Sequence, residues 1–122
     1  MLEIKVATDR EEYFEKLSKL GLDEELTLVV ESYDKGEVNG YGFYHLEGDS
    51  VSIDYIESYQ DLILFDGIVR SILFKAMLSG IDKAVFSDAQ LGKFQMLGFV
   101  QNNYKTIDSI GEFLSKCKSC GK

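Results

Sequence analysis

Two cysteines and one histidine are the most reactive side chains in this 122-residue chain. The cysteines lie in the run Cys117-Lys118-Ser119-Cys120. Two thiolates hold half of a structural zinc ion, which wants four ligands. His45 is far away in sequence, so one chain offers at best half a site, and no bound metal is expected. A dithiol redox centre would sit at a helix start beside a β-α-β unit, whereas this pair follows a predicted last helix. It reads as an exposed tail over residues 117–122, with a metal shared between chains or redox chemistry as the alternatives. His45 falls in a predicted strand, where a lone histidine reads as structural or solvated. No Gly-x-Ser-x-Gly elbow accompanies it. Gly40-x-Gly42 precedes strand rather than helix, so it is no dinucleotide fingerprint, and the chain has no phosphate-binding P-loop.

The elements that must position such groups follow from hydrophobic pattern. Leu2, Ile4 and Val6 alternate with charged residues and predict a first strand. Thr8 or Asp9 caps a helix whose stripe is Tyr13, Phe14, Leu17 and Leu20, with Gly21 as its stop. Residues 26–33, 38–46 and 51–59 predict three strands joined by short turns, an antiparallel meander. Ile56 directly after Tyr55 breaks the alternation and predicts a β-bulge there. Gly40 and Gly42 inside a strand predict a bulge or a close backbone approach. From Leu64 to Met77 apolar pairs recur every four residues and predict a long helix over residues 66–79. Its wide stripe predicts that most of it is covered, Phe74 and Leu78 included. Lys83 to Phe86 predicts a fifth strand parallel to the fourth, since a crossover's length of chain separates them. A short helix with Leu91, Phe94 and Leu97 closes at Gly98. A sixth strand is predicted over residues 99–105 and a last helix over residues 108–116.

Composition bounds what this scaffold does. With 45% hydrophobic and 28% charged residues, the chain reads as one globular domain over residues 1–116. Lys and Arg total 13 against 21 Asp and Glu, a net charge of −8. That balance argues against nucleic acid, whose phosphates need cations, and against an anionic membrane surface. The longest apolar stretches are far too short to span a bilayer. Residues 1–9 carry no secretory pattern, so a cytoplasmic location is expected.

The order β-α-β-β-β-α-β-α-β resembles the GNAT family of N-acyltransferases. Gly40-Tyr41-Gly42-Phe43 resembles the family's third strand. Gly67-Ile68 resembles the second half of its Gln/Arg-x-x-Gly-x-Gly/Ala loop. Ser79 to Phe86 resembles its helix end and fifth strand. Phe94-Gln95-Met96-Leu97-Gly98-Phe99 is similar to its Tyr-x-x-Leu-Gly-Phe signature. The resemblance implies an α+β fold, a short variant with a mixed, mostly antiparallel sheet flanked by helices. It implies acyl-CoA as donor and an amine, small-molecule or peptide, as acceptor. The donor's pyrophosphate would sit on backbone N–H groups at the start of the long helix. On this chain that assigns Gly67, Ile68 and Val69 to the loop, with Tyr59 and Phe94 beside the cofactor. Asp54 or Glu57 of the fourth strand would be the general base.

Aligned on Gly67, Leu64 and Phe65 replace the family's Arg and first Gly. Asp61 and Asp66 add negative charge at the same turn. Phe94 replaces a tyrosine that would protonate the leaving thiolate. Binding of acetyl-CoA is therefore expected to be weak or absent. Two functions follow: an N-acyltransferase moving an acyl group from acyl-CoA to an amine, or a catalytically degenerate binding or regulatory module on the same scaffold. Either reading leaves room for a homodimer.

Overall fold

The computed structural model describes residues 2–7, 9–101 and 104–120, the side chains of residues 2 and 116–120 excepted. Thr8 as a cap and the thiols of Cys117 and Cys120 lie outside the described residues. β1 (Leu2–Val6) is followed by an Asp9 cap whose carboxylate accepts the Glu11 N–H at 3.0 Å. A tight helical turn, Arg10–Tyr13, leads into α1 (Phe14–Lys19). The meander is β2 (Leu28–Asp34), β3 (Glu37–Glu47) and β4 (Ser50–Glu57). Then come α2 (Leu62–Leu78), β5 (Lys83–Phe86), a turn at Asp88–Gln90, α3 (Leu91–Met96), β6 (Thr106–Ile107) and α4 (Ile110–Cys120). The strands form one sheet in sequence order. All neighbours are antiparallel except β4 and β5, which run parallel as expected.

The sheet divides the core. On one face α2 lays Phe65, Ile68, Val69, Ile72 and Leu73 against Val51, Ile53 and Ile56 of β4. On the other, Tyr13 and Leu17 pack on Val29 and Phe43. Gly40 and Gly42 are the contact points under α2. A Cβ on Gly40 would lie 2.8 Å from the Glu57 carbonyl oxygen, and one on Gly42 2.9 Å from both Ile56 and Ile68. The close approach read from these strand glycines is thus present.

Four expectations about elements are corrected. α2 begins at Leu62, four residues before the predicted start, because Asp61 caps it. β6 is Thr106–Ile107, two residues that follow the expected span of 99–105 rather than lie within it. Phe99 and Val100 are buried by packing rather than pairing: Gly98 turns the chain at φ 85°, and Phe99 stacks on Phe113 at 5.5 Å. Phe74 and Leu78 are 50% and 70% exposed, since the sheet and α4 cover other faces of α2. The Cys117–Cys120 run lies on helical backbone at the end of α4 rather than beyond it.

Candidate functional site

β4 carries one residue more than its partner. Phe43 pairs with Tyr55 and Tyr44 with Ile53, so Asp54 is the bulged residue, beside the place predicted. The bulge turns its carboxylate to the face away from α2, where His45 of β3 also points. Asp54 Oδ2 lies 2.8 Å from His45 Nδ1, and the two side chains are 11% and 26% exposed. Burial pushes the Asp54 pKa up, the hydrogen bond and charge of His45 offset part of that, and the charge of Glu47 adds to it. With Asp54 ionised, Nδ1–H donates to it and Nε2 is left as a proton acceptor. The pair borders an open cavity of about 190 Å³, lined also by Glu47, Ser52, Phe86 and Ser87. The Ser87 hydroxyl is buried without a hydrogen-bond partner. His45, read from the sequence as a lone histidine, is therefore hydrogen-bonded to Asp54. The signal that could have found it is register: the two-residue turn after β3 sets His45 opposite Ser52, next to the bulge.

Glu57, the other candidate base, spends both oxygens within the chain. Oε1 accepts the Tyr55 hydroxyl at 2.8 Å and Oε2 accepts the Tyr59 N–H at 2.9 Å. Burial and this bond push Tyr55 up to about 12. The second bond steadies a strained turn, for Tyr59 and Gln60 stand at φ 50° and 74°. Non-glycine residues in that region each cost on the order of 1–3 kcal/mol. The Tyr59 ring is 66% exposed beside the start of α2.

The helix start itself is sealed. Asp61 Oδ1 accepts the Leu64 N–H at 3.0 Å, and the Asp61 carbonyl accepts the Phe65 N–H at 2.9 Å. The assignment of the phosphate loop to Gly67, Ile68 and Val69 is corrected: these residues sit in the second turn, with their N–H groups inside the helix ladder. Ile68 and Val69 are fully buried, and a Cβ on Gly67 would meet only Ile4, at 4.0 Å. Set on the observed helix start, the Gln/Arg-x-x-Gly-x-Gly/Ala spacing falls on Gln60, Ile63 and Phe65. Ile63 is 87% exposed and Phe65 fully buried. Asp66 is not a bare charge either, since its carboxylate accepts from Arg70 Nε at 2.8 Å. Phe94 is a core residue, fully buried at 4.7 Å from the Phe86 ring and 5.5 Å from Phe65.

These residues do not fit a CoA pyrophosphate. A phosphate needs the free N–H groups of the helix start and close backbone approach. Here a resident carboxylate holds one of those groups, and side chains stand where glycines would open the path. Among the described residues no cluster of His, Cys, Asp and Glu could hold a metal ion. No helix there is long and apolar enough to cross a membrane.

No family model matches the sequence, and no curated protein does. Solved structures resemble the fold. An IAA acetyltransferase from Bacillus cereus aligns at a TM-score of 0.63 with 16% identity, over 80% of this chain and 76% of its own. A GNAT family acetyltransferase from Elizabethkingia anophelis with acetyl-CoA bound aligns at 0.60 and 14%, over 80% and 74%. A Bacillus subtilis acetyltransferase in complex with CoA aligns at 0.59 and 19%, over 80% and 76%. The order of elements, the parallel β4–β5 pair and these alignments agree: the chain has the fold of GNAT acetyltransferases.

Proposed function

We propose that this chain is a binding or regulatory module on the GNAT scaffold that does not use acyl-CoA. One observation carries the reading: the Asp61 carboxylate caps the helix start where a pyrophosphate would bind. Two like charges a few ångströms apart repel by about 1 kcal/mol in water and about 4 kcal/mol near a protein surface. Ile63 and Phe65, in place of glycines, add a steric barrier. The test is a pair of substitutions, Asp61→Asn with Ile63→Gly. Asparagine keeps the helix cap without the charge. Acetyl-CoA should leave the parent's melting temperature unchanged and raise that of the double variant, less so at high salt. A parent protein stabilised by acetyl-CoA would overturn the reading.

A second reading, N-acyltransfer to an amine, draws on the His45–Asp54 pair and its cavity. In that reading His45 Nε2 takes the proton of the attacking amine while Asp54 holds the ring. The two structural neighbours with acetyl-CoA or CoA bound support it at the level of fold. Turnover of acetyl-CoA that disappears in Asp54→Ala would favour it over the first.

A further inference from the structure

α2 buries one side against the sheet and leaves the opposite side bare. Ile63, Phe74 and Leu78 are each half or more exposed. With Gly67 they recur at steps of four, seven and four residues, which sets all four along one line of the helix. Arg70 stands beside that line and turns its charge aside. Its Nε donates to Asp66 at 2.8 Å, and its guanidinium lies 5.2 Å from the Phe99 ring and 5.4 Å from the Phe113 ring. On the same flank an open groove of about 470 Å³ runs between α2 and α4, lined by Phe74, Met77, Gly111 and Leu114.

Gly67 has no reason within its own chain. A glycine inside a helix loosens it, and here a Cβ would find room, with Ile4 at 4.0 Å as its one neighbour. Gly40 and Gly42 differ, since the close approach of α2 requires them. The exposed line is also symmetric along the helix. Its midpoint falls between Arg70 and Ser71, with Ile63 as far before it as Leu78 is after, and Gly67 as far before it as Phe74 is after. Two copies of α2 laid antiparallel about a two-fold axis at that midpoint set each Phe74 ring over a bare Gly67, and each Ile63 against a Leu78.

Charge and area fit the same occupant. The whole chain carries −8, yet α2 holds one acidic residue, Asp66, against two basic ones, Arg70 and Lys75. Two copies thus meet here without the excess negative charge that separates them elsewhere. The 17 residues of α2 span about 25 Å, and with α4 alongside the face is about 20 Å wide. That is about 500 Å² per copy, close to the roughly 1,000 Å² in total that a specific interface needs. We infer that a second copy of this chain covers this face, in an antiparallel two-fold dimer that seats Phe74 of each copy on Gly67 of the other. The inference stands apart from the acyl-CoA reading, because the cap at Asp61 does not depend on it.

The experiment is analytical ultracentrifugation of the full chain under reducing conditions. The chain should pass reversibly from monomer to dimer between micromolar and millimolar concentration, and added salt should tighten the dimer by screening the charge of the two copies. Phe74→Asp should weaken association at least tenfold. Gly67→Leu should weaken it at least tenfold as well, although it adds apolar surface. Plain apolar stickiness does the reverse, so a tighter dimer of Gly67→Leu would overturn the inference. Circular dichroism checks that each variant is folded, and Gly67→Leu carries the test if Phe74→Asp is not. Orientation is read by oxidation in a Cys117→Ser, Cys120→Ser background. Ser71→Cys, next to the axis, should crosslink. Ile63→Cys should not, since its copy lies about 22 Å along the helix, far beyond the reach of a disulfide. Crosslinking of Ile63→Cys would mean parallel pairing and overturn the antiparallel dimer. A chain that stays monomeric at millimolar concentration would overturn the inference and leave the acyl-CoA reading standing.

Discussion

The two ends of β4 solve the same problem in opposite ways. At the far end, three groups near the helix start are answered from within the chain, although Asn39 Oδ1 beside Gly40 is buried without a partner. Glu57 is taken by Tyr55 and Tyr59, the Leu64 N–H by Asp61, and Ile56 by Gln90. At the bulge, by contrast, the His45–Asp54 pair borders a cavity and Ser87 keeps an unanswered hydroxyl. Saturated hydrogen bonding stabilises a fold and leaves nothing for binding, whereas an unsatisfied buried group costs stability and is ready for a partner. Side chains that fill the sealed end should therefore matter to stability, whereas the orphan hydroxyl at the cavity should not.

Phe65 gives the largest effect. It stands where the family motif has a small residue, yet it is fully buried against Phe94. Phe65→Ala should lower stability by about 3–5 kcal/mol in urea denaturation, the cost of truncating a core aromatic. A loss under about 1 kcal/mol would mean that this end is loosely packed and open to ligand. Gly40→Ala should cost about 1–3 kcal/mol, because the clash is with the Glu57 carbonyl oxygen, which moves only if β4 moves.

The pH dependence has the same sign at the two ends and separates them by range. Tyr41 and Tyr55 are each pushed up to about 12, first by burial and then by neighbouring groups around Glu57. Their folded values lie above the unfolded one, so the stability they confer is intact below pH 10 and is lost as pH rises toward 12. Tyr55→Phe should flatten that alkaline limb, measured by circular dichroism against phenolate absorbance. At the cavity, Asp54 is also raised, by burial. The folded state keeps its proton longer than the unfolded state, so the parent should lose stability as pH climbs out of the ordinary aspartate range. Asp54→Asn should lack that loss, and an identical acid limb in both proteins would contradict the burial of Asp54. The smallest effect belongs to Ser87→Ala. Removing an orphan hydroxyl should change stability by no more than about 0.5 kcal/mol, or raise it slightly.

Much of the scaffold is legible in the sequence because it rests on local signals. Alternation fixed β1 and the meander, and the strand glycines announced the close approach of α2. The start of α2 was misplaced by four residues because its first turn, Leu62 to Phe65, is apolar on all sides and Ile63 faces solvent. Periodicity begins where burial begins, while the helix begins where Asp61 caps it. That error carried the phosphate loop onto Gly67, Ile68 and Val69. Phe99 and Val100 are strand-like in composition, yet packing against aromatic rings buries them without pairing. Of the site, Asp54 and Glu57 were named from resemblance. The partner of Asp54 depends on strand register, and the pairing of Gln90 with Ile56 depends on where β5 leaves β4. Neither leaves a periodic trace in sequence.

In the proposed reading the acyl-CoA side of this fold is closed. Calorimetric titration of the unmodified chain with acetyl-CoA at low salt tests it most directly. The account predicts no binding heat up to millimolar ligand and no thermal stabilisation. A micromolar dissociation constant, with about 2.7 kcal/mol of added stability at a hundredfold ligand excess over it, would contradict the account and favour a working acyltransferase with the His45–Asp54 pair as its base.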